Sequence, residues 1–177
     1  VVEGWHGVAY GRPMTRTKEY IEIMQKIFNR EAPVEHEGFH YSMPYSAEDG
    51  TGLGKPLKSI LQADPSIKIY TASITPKGLE TAAEVADGVF PIWMSPEKSN
   101  VLMSSIQKGL DKGGKTMMDF DIAPFVTVVM GDDVDHCRMP IKGSMALYIG
   151  GMGARENNFY NDYAKALGYE EAAVKIQ

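Results

Sequence analysis

Cysteine is almost absent from this chain. Cys137 is the only one, which excludes an internal disulfide and fits a reducing compartment; a cytoplasmic location is the expectation. Basic charge is not in surplus either. The 18 Lys and Arg residues stand against 23 Asp and Glu, for a net charge of −5, and no basic block occurs. Nucleic acid is therefore not the expected partner, because it needs a clustered positive surface. No apolar run approaches the ~20 residues of a membrane span, and VVEGWHG lacks the basic-then-apolar order of a signal peptide. Internal repeats, low-complexity tracts and linkers are missing too. The 177 residues, 44% hydrophobic, accordingly read as one domain with a sizeable core. Val1 begins in what reads as an extended segment and Gln177 ends inside a helical pattern, so a piece of a longer chain is expected.

What is present is organised around residues 68–95, KIYTASITPKGLETAAEVADGVFPIWMS. Residues 67–73 form an apolar run with β-branched residues, the mark of a buried strand. A polar turn follows at Ile74-Thr75-Pro76-Lys77, then a helix with Leu79, Ala82, Ala83 and Ala86 on one side. Asp87-Gly88 stops it, and residues 89–94 read as a second buried strand. Two parallel strands need such a crossover.

The flanks are more ambiguous. Residues 1–12 are Gly-rich, with Trp5, His6 and Tyr10 between Gly4, Gly7 and Gly11. They read either as a phosphate cradle or as a plain Gly-rich turn. Pro13 opens a helix to about Arg30 whose apolar face is Tyr20, Ile23, Met24, Ile27 and Phe28. His36-Glu37-Gly38-Phe39-His40 matches the H-E-x-x-H pattern of zinc peptidases, which requires a helix to bring both imidazoles to one metal. Gly38 inside it, prolines on both sides and the extended-prone Val34, Phe39 and Tyr41 argue instead for a β-hairpin with Glu37-Gly38 at its turn, and no metal site is expected. Residues 45–58 form a Gly-rich loop, read as a lid or as a surface excursion. Residues 96–113 read as a helix, 121–131 as a buried strand, and Asp132-Asp133 as the cap of a further helix in which a buried Cys137 packs. The apolar 145–149 run breaks at Gly150-Gly151-Met152-Gly153, and helices are expected over 157–165 and 170–176. Strands alternating with helices predict an α/β fold with a parallel sheet and a site at the carboxyl ends of its strands.

Four stretches carry a more specific signal: VVEGWHGVAYGRPMTRTKEY, GTGLGKPLKS, YTASITPKGLETAAEVADGVFPIWMSPEK and LYIGGMGARENNFYNDYAKALGYEEAA. Together they resemble the luciferase-like monooxygenase superfamily, and within it the oxidoreductases that use the deazaflavin coenzyme F420. The resemblance implies part of a (β/α)8 TIM barrel: one partial barrel domain over 1–177, with residues 33–58 as a hairpin and loop insertion. It implies hydride transfer between F420 and a small organic substrate. The alternatives are an FMN-dependent monooxygenase using molecular oxygen, or a non-catalytic half-barrel that oligomerises through open sheet edges. The family's cofactor phosphate lies against the loop matching Ser73, Ile74, Thr75 and Lys77, although the family usually has glycine near Ile74 and Thr75. A second cofactor loop ends at Val2, Glu3, Gly4, Trp5 and His6, with Trp5 either stacking on the cofactor or a plain core aromatic, and His6 either a proton donor near the ring or simply solvated. Trp93 and Ser95 would face substrate, and Asp87 reads as a structural turn residue. The family is often dimeric, so a homodimer is the expected assembly.

Overall fold

The computed structural model describes residues 2–177. Three strands, β3 (Tyr70–Thr71), β4 (Gly88–Val89) and β5 (Asp121–Ile122), form a parallel sheet in the order β3-β4-β5. Ahead of it lie α1 (Val2–His6), α2 (Pro13–Asn29) and a hairpin of β1 (His36–Glu37) and β2 (Ser42–Met43). Helix α3 (Pro76–Val85) crosses from β3 to β4, and α4 (Asn100–Gly113) from β4 to β5. Then come α5 (Val134–Met145), α6 (Phe159–Ala166) and α7 (Glu170–Ile176).

The strand–helix–strand unit forms where the sequence places it. Thr75 caps α3, its hydroxyl accepting from the Gly78 N–H at 3.2 Å, and Pro76 occupies the first turn where no N–H is needed. Leu79, Ala82 and Ala83 are fully buried and meet Leu102, Ile106 and Leu110 of α4. The two helices touch at Gly109, where an added Cβ would collide with the Glu80 carbonyl. Asp87 is the structural residue expected: its carboxylate accepts from the Ile69 N–H at 2.7 Å. Lys115 closes the other end of α3 by donating to the Ala86 carbonyl at 2.6 Å.

Helix α2 is tied to α3 by Lys18–Glu84 at 2.5 Å and by Gln25 donating to the Val85 carbonyl at 3.0 Å. It also anchors the hairpin. The Glu19 carboxylate accepts from the backbone N–H groups of Phe39, His40 and Tyr41 at 2.8, 2.9 and 3.0 Å. The His36 ring lies 3.7 Å from the same carboxylate.

Several expectations need correction. Residues 2–6 are a short helix and not an extended segment; the expectation for Val1 lies outside the described residues. The H-E-x-x-H residues do form a hairpin, but Glu37 belongs to its first strand, because Glu19 holds residues 39–41 as the turn. On α2, Tyr20 is 56% exposed while Ile21 and Glu19 are buried, since the helix must face both α3 and the hairpin. Strand β3 pairs only from Tyr70, and Ile67 is exposed. The 121–131 run is not a buried strand: pairing covers Asp121–Ile122 plus a bridge from Phe125 to Ile92. Beyond Pro124 the run is open, with Val126 74% and Met130 90% exposed, because no described element covers that face. Cys137 is only partly buried. The apolar run after Met145 winds as a π-helix through Gly151, so Gly150 does not break it. Asp133 caps α5 as read, accepting from the N–H groups of Asp135 and His136.

Candidate cofactor and substrate site

Two cavities open side by side at the carboxyl ends of the strands, the end that carries the site in α/β barrels. The first, about 220 Å³, is lined by Ser73, Ile74 and Thr75 after β3, by Phe90 and Ile92 after β4, and by Tyr10, Met14 and Tyr160 among others. Three of the predicted cofactor residues are thus brought to one wall. They precede the start of α3, where the helix dipole and free backbone N–H groups favour an anion. Of the first N–H groups, that of Gly78 goes to Thr75 and that of Leu79 to the Thr75 carbonyl, and Pro76 has none. Among the described residues, the Lys77 N–H has no partner. Buried Gly78 packs under the loop: a Cβ there would lie 2.6 Å from Ser73 Oγ and 2.9 Å from Thr75 Oγ1. Two hydroxyls converge on that turn because it has no side chain. The Lys77 ammonium is exposed and 3.4 Å from Glu80, a carboxylate that Lys112 also pairs, so Lys77 is weakly committed.

The second cavity, about 300 Å³, lies between the loops after β4 and β5 and helix α5. Trp93 stands in its wall with φ at +52°, a backbone conformation costly for a bulky residue and found where packing enforces it. Its ring meets Tyr148 edge-on at 6.1 Å and Tyr160 at 5.8 Å, and those two tyrosines meet at 4.9 Å. Trp93 and Tyr160 therefore form the partition between the cavities. Burial, and then the neighbouring Tyr148, push the Tyr160 phenol above its ordinary value, so it stays protonated.

Other predicted residues lie apart from these walls. Glu3, Gly4, Trp5 and His6 are all exposed on α1, Trp5 to 85%. Their connection to the first cavity runs through Tyr10, whose N–H donates to Glu3 at 3.2 Å. Ser95 lines neither cavity; its hydroxyl donates to Glu97 at 2.5 Å and holds that carboxyl below the ordinary glutamate range. Sequence reasoning does not single out Phe90, Tyr148 or Tyr160 as site residues. The available signal for two of them is the aromatic density flanking the Gly-Gly-Met-Gly segment.

The sequence pattern of the luciferase-like monooxygenase family matches residues 1–177. A Mycobacterium tuberculosis protein, provisionally named a coenzyme F420-dependent oxidoreductase, is 39% identical over 99% of this chain and 52% of its own length. The 5,10-methylenetetrahydromethanopterin reductase of Archaeoglobus fulgidus is 29% identical over 82% of this chain and 40% of its own. The chain thus spans about half, or less, of these relatives. Among solved structures, an F420-dependent secondary alcohol dehydrogenase superposes with a TM-score of 0.69 at 15% identity, over 98% of this chain and 50% of that one. The F420-dependent tetrahydromethanopterin reductase of Methanopyrus kandleri gives 0.61 at 22%, over 93% and 47%. At such identities the structures speak for the fold alone, and the fold is part of a (β/α)8 barrel. With its whole length matched, the chain belongs to the luciferase-like monooxygenase family.

Proposed function

We propose that this chain forms the cofactor-phosphate and substrate-facing part of an oxidoreductase that transfers a hydride between coenzyme F420 and a small organic substrate. The observation that carries the reading is the start of α3. Ser73 and Thr75 stand in the wall of the first cavity, and the Lys77 N–H and its weakly committed, exposed ammonium follow at the helix start. That donor set fits a phosphate. The 39% identity to a protein named for F420, running along nearly the whole chain, supports this cofactor over FMN. When bound, the deazaflavin would supply the hydride chemistry, and the protein supplies position and electrostatics.

In this reading Ile74, 7% exposed, fixes the loop by burying its side chain in the core while Ser73 and Thr75 face the phosphate. Glu3 ties α1 to the same wall through Tyr10, Gly4 leaves that helix open to the cofactor, Trp5 offers an open ring face for stacking, and His6 is the proposed proton donor. Trp93 and Ser95 belong to the substrate side, and residues 33–58 are an insertion outside the catalytic end of the barrel. A homodimer and a cytoplasmic setting complete the proposal.

The test is a parallel titration of the chain with F420 and with FMN, followed by cofactor fluorescence. Saturable F420 binding is expected, weakened about tenfold or more by Thr75→Ala with Lys77→Ala, since hydrogen bonds to charged groups contribute about 1.5–3 kcal/mol each. A preference for FMN would move the assignment to an oxygen-using flavin monooxygenase. Binding of neither, or indifference to the double substitution, would remove the phosphate cradle.

A further inference from the structure

The segment 150–161, GGMGARENNFYN, carries two buried asparagines for which neither cavity accounts. Asn158 is 4% exposed and Asn161 1%. Both ends of the Asn158 amide are engaged. Its Oδ1 accepts from the N–H groups of Tyr160 and Asn161 at 3.0 and 3.2 Å, capping α6. Its Nδ2 donates to the Tyr148 and Ile149 carbonyls at 2.9 and 3.0 Å. Those carbonyls lie near the end of the π-helix Ala146–Gly151, where the last C=O groups find no partner within the helix. Only this orientation of the amide sets a donor against each carbonyl and the acceptor against both N–H groups. Asn161 adds a second tie. Its Nδ2 donates to the Ile149 carbonyl at 3.1 Å and to the Ala173 carbonyl of α7 at 2.9 Å. Its buried Oδ1 has no partner among the described residues, a costly vacancy that the two donations offset.

The residues held in this way build the aromatic partition. One side chain holds Tyr148 by its carbonyl and Tyr160 by its N–H. Their rings meet at 4.9 Å and reach Trp93 at 6.1 and 5.8 Å. Ile149, Ala164 and Ala173 form the buried cluster against which Trp93 packs. A π turn is rare and recurs at functional sites. We propose that Asn158, braced by Asn161, is a positioning residue: it locks the π-helix to the start of α6 and so sets where Tyr148 and Tyr160 stand against Trp93. A helix cap needs only Oδ1; the two Nδ2 donations serve the wall.

Asn158→Asp separates the two roles, because it keeps the capping oxygen and loses both donors. It is placed in the whole chain carrying Trp5→Phe, which leaves Trp93 as the sole tryptophan. Trp93 emission should shift to the red, and the near-UV circular dichroism of the aromatic cluster should weaken. Amide exchange at Gly150 and Gly151 should quicken about three- to tenfold, the worth of one net hydrogen bond, while the Tyr160 and Asn161 amides keep their protection. Asn161→Leu removes two donors without burying a charge and should give a smaller Trp93 shift, which decides the matter where Asn158→Asp does not fold. An unchanged Trp93 signal in folded Asn158→Asp makes the residue a helix cap alone and overturns the proposal. So does an unchanged signal in Asn161→Leu, or a Trp93 shift accompanied by lost protection at Tyr160 and Asn161, which assigns the change to α6. F420 titration of chains that keep Trp5 holds this apart from the cofactor reading: a Trp93 shift in a protein that binds no F420 leaves the clamp standing and the cofactor assignment fallen.

Discussion

Glu19 is a carboxylate only 6% exposed, and it survives as one because of what surrounds it. Burial pushes its pKa up, but the N–H groups of His40, Tyr41 and Phe39 together outweigh burial and leave it below the ordinary glutamate value. The folded state therefore binds the proton less well than the unfolded chain does. Its contribution to stability is complete above the ordinary glutamate range and is lost as pH falls through the depressed folded-state value. The three amide resonances should titrate together, with a midpoint below that of a free glutamate; a midpoint at or above it would refute the assignment. Glu19→Gln keeps the shape but exchanges an acceptor for a donor. It should cost about 1–3 kcal/mol, read by chemical denaturation, with loosening of the hairpin and no change at α3.

At the scale of elements, glycines mark where helices must touch. Gly109 faces the Glu80 carbonyl, and its Cβ would lie 2.7 Å from that of Ala83. Gly109→Ala should destabilise by about 1–3 kcal/mol, the ordinary range for overpacking. Gly143, within α5, has nothing inside 4 Å, and Gly143→Ala should stabilise by about 0.4–1 kcal/mol by restricting the unfolded chain. Thermal unfolding of the pair decides between them. The same contrast explains what was legible in the sequence. Residues 76–85 and 100–113 announce themselves because each buries one apolar stripe against the other, a pattern read from spacing alone. Residues 123–130 mislead because Phe125, Val126, Val128 and Met130 have strand-like composition, whereas pairing and burial depend on neighbours that periodicity does not specify. In the site, Ser73, Ile74 and Thr75 were reachable from their motif. Tyr148 and Tyr160 come together with Trp93 across more than fifty residues of chain, a proximity no local pattern encodes.

For the whole molecule, the dominant feature is one uncovered face. Tyr70 stacks on Phe90 at 4.8 Å, Phe90 meets Phe125 at 5.4 Å, and Phe125 is itself 67% exposed. An apolar surface of this kind invites association. Light scattering of the isolated chain should show a mass above that of one chain at high concentration, falling toward it with Phe125→Ser and Val128→Lys. A mass of one chain at every concentration would mean the face is tolerated in water. The connectivity also sets an order of events. Pairing of β3 with β4 and of β4 with β5 each closes over a single α-helix, whereas the Lys18–Glu84 tie joins residues 66 apart. Longer closures come at greater entropic cost and later in folding. In pulse-labelled hydrogen exchange, amides of α3 and α4 should gain protection before those of α2. A chain emerging N-terminus first would then make α2 early and dock it late, leaving Lys18 and Gln25 without their α3 partners until residues 76–85 have been synthesised.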